Sequence, residues 1–175
     1  MKNKCVFLDR DGVVNRERGD YTFKIEDLEI LRGVKESLKR IKKEGYKVIV
    51  ITNQSGISQG LYTREDLKKC HSYMQEELGY MIDDIFYSPY HPKISESLSR
   101  KPDTLLFEKA MAKHELDPTG SWMLGDRERD LIPAKKLGMR TILIDNFEQS
   151  EYATDYAPDL QDAVNDVIFR VESSK

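Results

Sequence analysis

The sequence predicts an α/β fold, a three-layer Rossmann-like parallel sheet with helices on both faces and a minimal cap. Short, dense apolar runs alternate with helical patterns along the chain. The runs are apolar at consecutive positions, as in strands buried on both faces. No internal repeat, low-complexity tract or break in composition divides the 175 residues. Strand and helix alternating in this way build parallel sheets, and a chain of this size favours one domain, here residues 1–175.

The first strand is "CVFL", Cys5 to Leu8. Leu31, Val34, Leu38 and Ile41 then recur at helical spacing up to Gly45. "KVIVIT", Lys47 to Thr52, is β-branched and reads as a central strand. "TRED" at Thr63 is a capping signal for a helix carrying Leu67, Cys70, Met74 and Leu78. "DIFY" is the third strand, followed by a long Pro- and Ser-rich loop, "YSPYHPKISESLSRKPD". A helix is expected from about Asp103 to His114, ended by Asp117-Pro118. "WMLG" is a fourth strand, Leu131 to Leu137 a helix closed by Gly138, and "TILI" a fifth strand. Leu160, Ala163, Val164, Val167 and Ile168 mark a last amphipathic helix, and the tail beyond Val167 is expected to fray.

Composition narrows the function. With 28 basic and 31 acidic residues the net charge is −3, which carries no nucleic-acid or membrane-surface footprint. "VIVI" and "TILI" are far too short to span a bilayer, and no secretory signal is visible. Cys5 and Cys70 make no disulfide framework, so a reducing cytoplasm is the expected location. We expect a monomer, with neither nucleic acid nor membrane as partner.

Open parallel sheets bind ligands at the carboxyl ends of their strands. After "CVFL" come Asp9 and Asp11. After "VIVI" come Thr52, Asn53, Gln54, Ser55 and Gly56. After "WML" come Asp126 and Asp130. If strands 1, 2 and 4 are neighbours, these groups share one crevice. A single acidic residue after a strand is commonly a cap or turn former, and Thr52-Asn53 alone could be a turn. Asp9, Asp11 and Asp126 together are a costly cluster of like charge, which a cation would offset. Hard oxygen ligands with room for water suit Mg²⁺, and a hydroxyl with backbone amides suits phosphate.

"VFLDRDGVV" resembles the first motif of the haloacid dehalogenase-like phosphatases. Thr52 resembles the second motif, Lys101 the third and "GDRERD" the fourth, in the family's order. The resemblance implies a phosphoric monoester hydrolase in which Asp9 is the nucleophile and forms an aspartyl-phosphate. Asp11 would be the acid and base. Mg²⁺ would be held by Asp9, the Asp11 main-chain carbonyl and Asp126. Thr52, the Asn53 amide and Lys101 would hold the phosphoryl oxygens, and Asp130 would orient Lys101 or Arg127. Asp11 also favours phosphate over carbon–halogen substrates.

"FLDRDGVVN", "TNQSGISQG", "RKP" and "GDRERD" are together similar to the branch containing D-glycero-D-manno-heptose 1,7-bisphosphate phosphatases and histidinol-phosphate phosphatases. Asn15 is more typical of the heptose enzymes. The implied substrate is a small phosphorylated sugar, with heptose bisphosphate losing its 7-phosphate as the leading reading. Histidinol phosphate, a polynucleotide 3′-phosphate and a non-catalytic phosphate-binding role are the alternatives. With little cap, substrate contacts are expected from Arg10, Asn15, Asn53, Gln54, Ser55, Arg100 and Arg127, with Glu17 to Tyr21 nearby, and the arginines suit a second anionic group. In this branch the long loop ordinarily carries three cysteines and a histidine that bind structural zinc. This chain has Ser88, Tyr90, Ser97 and Ser99 at those positions, and His91 alone cannot close a tetrahedral site. No zinc is expected.

Overall fold

The computed structural model describes residues 2–145 and 148–172. Six parallel strands form one sheet: β1 (Cys5–Leu8), β2 (Lys47–Asn53), β3 (Asp84–Ser88), β4 (Trp122–Gly125), β5 (Arg140–Ile144) and β6 (Asp155–Ala157), in the order β3-β2-β1-β4-β5-β6. The strand order reverses at β1. There Leu8, the last residue of β1, pairs with Val50 of β2 and Leu124 of β4, while β4 runs on to Gly125 and β2 to Asn53, so the carboxyl ends of all three strands open at the same edge.

Period-two alternation in fully buried strands gives the sheet two apolar faces. Val6, Leu8, Val48, Val50, Trp122 and Leu124 face one core, with α1 (Val34–Lys43), α2 (Arg64–Glu77) and the C-terminal helical segment. Cys5, Phe7, Ile49, Ile51 and Met123 face the other, with α3 (Leu105–His114) and α4 (Glu128–Lys136). The three layers are those the sequence predicts.

Local chemistry sets the helix starts. The Thr63 hydroxyl accepts from the Asp66 amide (3.1 Å), and the Asp66 carboxylate accepts from the Thr63 amide (2.9 Å), a reciprocal cap on α2. α4 begins at Glu128 rather than Leu131, because the Asp130 carboxylate accepts the Arg127 amide at 3.1 Å and so opens the helix on polar residues that apolar spacing does not mark. α3 begins at Leu105 rather than Asp103. Its far end is tied to β3, where His114 Nε2 and Lys113 Nζ lie 2.8 and 2.6 Å from Asp84 Oδ2.

Two features differ further from expectation. β6 has three residues, of which only Ala157 is buried, so no apolar run announces it. The C-terminal segment is α5 (Leu160–Asp162), a π-helical stretch Ala163–Ile168 and α6 (Phe169–Glu172). It continues past Val167, with Phe169 edge-on to Tyr46 at 5.7 Å, because that ring completes the core. Residues 173–175 of the tail lie outside the described residues.

The long loop after β3 is folded against the domain. Ser99 Oγ lies 2.9 Å from Ser88 Oγ and 2.8 Å from Ser97 Oγ, and the Ser99 amide donates to Ser97 Oγ at 3.3 Å. The three cysteine positions of the zinc-binding pattern thus converge as a hydroxyl network. The His91 amide donates to Ser58 Oγ at 2.8 Å, which pins the loop to the segment after β2. Tyr90 is 38% exposed. Ser99→Ala removes the central hydroxyl and costs on the order of 1 kcal/mol per lost bond. Limited proteolysis should cut Pro92 to Leu98 several-fold faster in this variant, with the far-UV circular dichroism unchanged.

Candidate active site

The adjacent carboxyl ends of β1, β2 and β4 bring Asp9, Thr52 and Asp126 to one edge of the sheet. Asp9 is 6% exposed. Lys101, delivered by the serine loop, is buried beside it. Its ammonium donates to Asp9 Oδ1 (2.8 Å) and the Ile51 carbonyl (2.7 Å), and it pairs with Asp130 Oδ1 (2.7 Å). Asn53 fixes the lysine backbone from both sides: Asn53 Oδ1 accepts the Lys101 amide at 3.0 Å, and Asn53 Nδ2 donates to the Lys101 carbonyl at 3.1 Å. The Asn53 side chain therefore serves the lysine, leaving only its backbone for a ligand.

Carboxylate oxygens of Asp9, Asp126 and Asp130 all lie within 4.8 Å of one another. Burial, and then the Asp130 charge, pushes Asp9 up to about 7. The same two causes push Asp126 up to about 6. Burial alone would depress the Lys101 ammonium, but Asp130 and Asp9 raise it above its ordinary value. One ammonium among three carboxylates leaves the cluster with excess negative charge. Asp130 is spoken for within the protein, one oxygen on Lys101 and the other on the Arg127 amide. Asp9 and Asp126 keep capacity for a cation. Gly12 adjoins them in the left-handed region (φ +87°), and a Cβ there would stand 2.5 Å from Asp126 Oδ2. The donors are hard oxygens, which fit Mg²⁺.

Asp11 has a different environment. Its Oδ1 accepts from Arg10 Nη2 (2.9 Å) and Asn15 Nδ2 (2.9 Å), and its Oδ2 from Arg10 Nε (3.1 Å) and Gln54 Nε2 (3.4 Å). Arg10, Asn15 and Gln54 are read from the sequence as substrate contacts. In the structure all three are buried and donate to Asp11, while Arg10 and Gln54 also line the crevice and Asn15 does not. Gln54 also donates to Thr52 Oγ1 (2.9 Å) and accepts from Tyr62 (2.6 Å). Thr52 thus accepts from inside, and its own hydroxyl hydrogen is free to point at a ligand.

A crevice of about 450 Å³ opens over these groups. Ser55, Arg100 and Arg127 border it as expected, and Ser55 Oγ lies 3.1 Å from the Tyr21 hydroxyl. His91 and Arg129 border it too; the sequence marks His91 only as a remnant of the zinc pattern and gives Arg129 no role. Arg129 is the fifth residue of "GDRERD", and the spacing of 127 and 129 at a helix start was the available signal. Burial, and then the charge of Arg129, lowers the Arg100 pKa, so these two cations are near neighbours. Glu17 and Asp20 also line the crevice.

A Rossmann-like sheet whose carboxyl edge joins a buried aspartate–lysine pair to an acidic cluster defines a hydrolase working through carboxylate chemistry. The family model for haloacid dehalogenase-like hydrolases matches residues 13–144, and the chain belongs to that family. A Helicobacter pylori D-glycero-beta-D-manno-heptose-1,7-bisphosphate 7-phosphatase is 41% identical over 134 residues, covering 74% of this chain and 76% of its own length. The Haemophilus ducreyi enzyme of the same name is 34% identical, covering 81% and 82%. A Burkholderia mallei D-glycero-alpha-D-manno-heptose-1,7-bisphosphate 7-phosphatase is 37% identical, covering 88% and 86%. Among solved structures, a B. bronchiseptica D,D-heptose 1,7-bisphosphate phosphatase complexed with magnesium and phosphate superposes with a TM-score of 0.87 at 26% identity, covering 95% of this chain and 99% of that one. The chain is a phosphoric monoester hydrolase of this family. Among the described residues no helix is long and apolar enough to cross a membrane.

The raised carboxyls set a pH dependence. Asp9 and Asp126 bind protons more tightly folded than unfolded, so stability falls as pH rises from their unfolded values near 4 through about 6 and 7. In chelator, the melting temperature should therefore drop between pH 4 and pH 7.5. Millimolar Mg²⁺ should restore it at pH 7.5 and have little effect at pH 4.5.

Proposed function

We propose that this chain is a Mg²⁺-dependent phosphatase that removes the 7-phosphate from a D-glycero-D-manno-heptose 1,7-bisphosphate through an aspartyl-phosphate. The observation that carries the reading is the buried Lys101–Asp9 pair at the carboxyl edge of β1, beneath a crevice bordered by Arg100, Arg127 and Arg129. The curated relatives named above support the choice of sugar. In this reading residues 1–175 act as one domain.

Asp9 attacks the phosphorus of the 7-phosphate. The bond from Asp9 to phosphorus forms as the bond to the sugar oxygen breaks, and Asp11 delivers a proton to that oxygen. Water then attacks the aspartyl-phosphate while Asp11 takes its proton, which releases phosphate and restores Asp9. The Thr52 hydroxyl, the Asn53 amide and Lys101 hold the phosphoryl oxygens. Asp9, Asp126 and the Asp11 carbonyl would hold Mg²⁺, whose charge offsets that of phosphate and carboxylates when bound. Arg100, Arg127 and Arg129 supply guanidinium donors for the phosphate that remains on the sugar. The zinc-free reading of the loop stands as part of the proposal, supported by the serine network.

A second reading rests on Glu17 and Asp20, which line the same crevice and suit the amine of histidinol phosphate. A substrate panel decides between them. Heptose bisphosphate should exceed histidinol phosphate and a 3′-phosphorylated oligonucleotide in kcat/KM by at least about 100-fold, the scale of a few charge-assisted contacts; the reverse ranking overturns the sugar assignment. Asp9→Asn should lower kcat by about 1,000-fold or more while the protein stays folded, since it removes the proposed nucleophile. Arg129→Ala should raise KM for the bisphosphate by roughly 10-fold, one guanidinium–phosphate contact, and leave a sugar monophosphate unaffected. Elemental analysis of protein purified without added metal should find zinc far below stoichiometric.

A further inference from the structure

Arg10 is fully buried, yet it carries a permanent charge and five N–H donors. Two of its nitrogens grip both oxygens of Asp11, and Nη2 also donates to the Thr22 carbonyl at 2.7 Å. Among the described residues Nη1 has one hydrogen-bonding neighbour, His71 Nε2 at 3.3 Å. His71 is buried on α2 along with Leu67, Cys70 and Met74. A guanidinium can only donate, so the imidazole nitrogen facing it must accept. That fixes the tautomer: Nε2 bare and the proton on Nδ1. An imidazolium would turn a second donor and a second positive charge toward Arg10 in a buried site. Burial, and then the Arg10 charge, brings His71 down to about 3, in line with this geometry.

We propose that His71 is a positioning residue for the reaction: a neutral acceptor that locks the Arg10 guanidinium and, through it, the orientation of the Asp11 carboxyl. The inference rests on the acid–base role of Asp11 given above. The guanidinium is held by both Asp11 oxygens and the Thr22 carbonyl through Nε and Nη2, and by His71 through Nη1. Without His71, Nη1 loses this acceptor, and the fork and the carboxyl it grips are held less firmly. Asn15 and Gln54 contact one Asp11 oxygen each and cannot replace a bidentate grip. His71 itself neither lines the crevice nor belongs to the acidic cluster; its contact is Arg10, which does line the crevice, so its effect reaches the chemistry through Arg10.

An acid matters most when the leaving oxygen is a poor leaving group. The test compares the parent, His71→Leu and His71→Gln with an alkyl sugar phosphate and with p-nitrophenyl phosphate, whose phenolate leaves without a proton. The Gln amide oxygen reaches about as far as Nε2 and restores the acceptor. For His71→Leu we expect kcat on the alkyl phosphate to fall at least about 10-fold, within the range a positioned acid supplies, with KM nearly unchanged and p-nitrophenyl phosphate turned over almost as by the parent. His71→Gln should recover most of the loss. Equal losses on both substrates, no loss on either, or a Gln variant no better than Leu would overturn the proposal. A second measurement does not depend on turnover. Nitrogen-15 spectra of the three histidines should show His71 as the Nδ1–H tautomer at pH 7; a proton on Nε2 would sink the inference. If the tautomer is as proposed but the parent hydrolyses neither ester, the phosphatase reading fails and the local geometry stands. The acid-positioning role then falls with that reading.

Discussion

A lysine ammonium with almost no exposure holds this site together. Lys101 touches the end of β1 through Asp9, the end of β2 through the Ile51 carbonyl and the start of α4 through Asp130. An unpaired buried ammonium would be untenable, and so would the buried carboxylates without it. Each partner is thus a condition for the other, and three separate chain segments are bound by one side chain. The sheet's register makes this possible. Were β2 shifted by one residue against β1, Ile51 would present a different face and the lysine would lose its carbonyl.

The cost of the arrangement falls on the loop that carries the lysine. Between β3 and Lys101 the chain forms no regular element, so its position depends on side-chain hydrogen bonds. The Asn53 amide holds the lysine backbone at two points, and Ser88, Ser97 and Ser99 close the loop behind it. A metal would close such a loop with bonds of much greater strength. Here several hydroxyls share the task, each worth little alone, which places this loop at the less stable end of the molecule.

The sequence shows the frame of the molecule more clearly than its inner polar wiring. "CVFL", "VIVI", "WMLG" and "TILI" are legible because parallel strands buried on both faces need unbroken apolar runs. Asp9, Thr52 and Asp126 are legible because they follow those runs. β6 is not, since an edge strand with one buried residue has no such run. The π-helical stretch is not, since its apolar residues fit an α-helix pattern equally well. The direction of a long side chain is also invisible. Arg10, between two aspartates, suggests a ligand contact in one dimension; folding leaves it at the crevice but also ties it to Asp11 and His71, which the sequence does not show. His71 carries no local signal, because its partner is 61 residues away.

Two aspartates two residues apart end in opposite settings, and that contrast follows from the turn between them. Asp9 closes the strand and stays in the buried cluster, where neighbouring carboxylates and a lysine decide its charge. Gly12, at φ +87°, lets the chain reverse immediately afterwards, so that the Gly12 amide reaches the Asn15 carbonyl at 2.8 Å. The reversal carries Asp11 out of the cluster and into a ring of four N–H donors. A side chain at position 12 would be strained by the backbone and would collide with Asp126. The same glycine therefore serves both halves of the site: it frees the space beside the acidic cluster, and it separates the aspartate proposed to attack from the one proposed to move a proton.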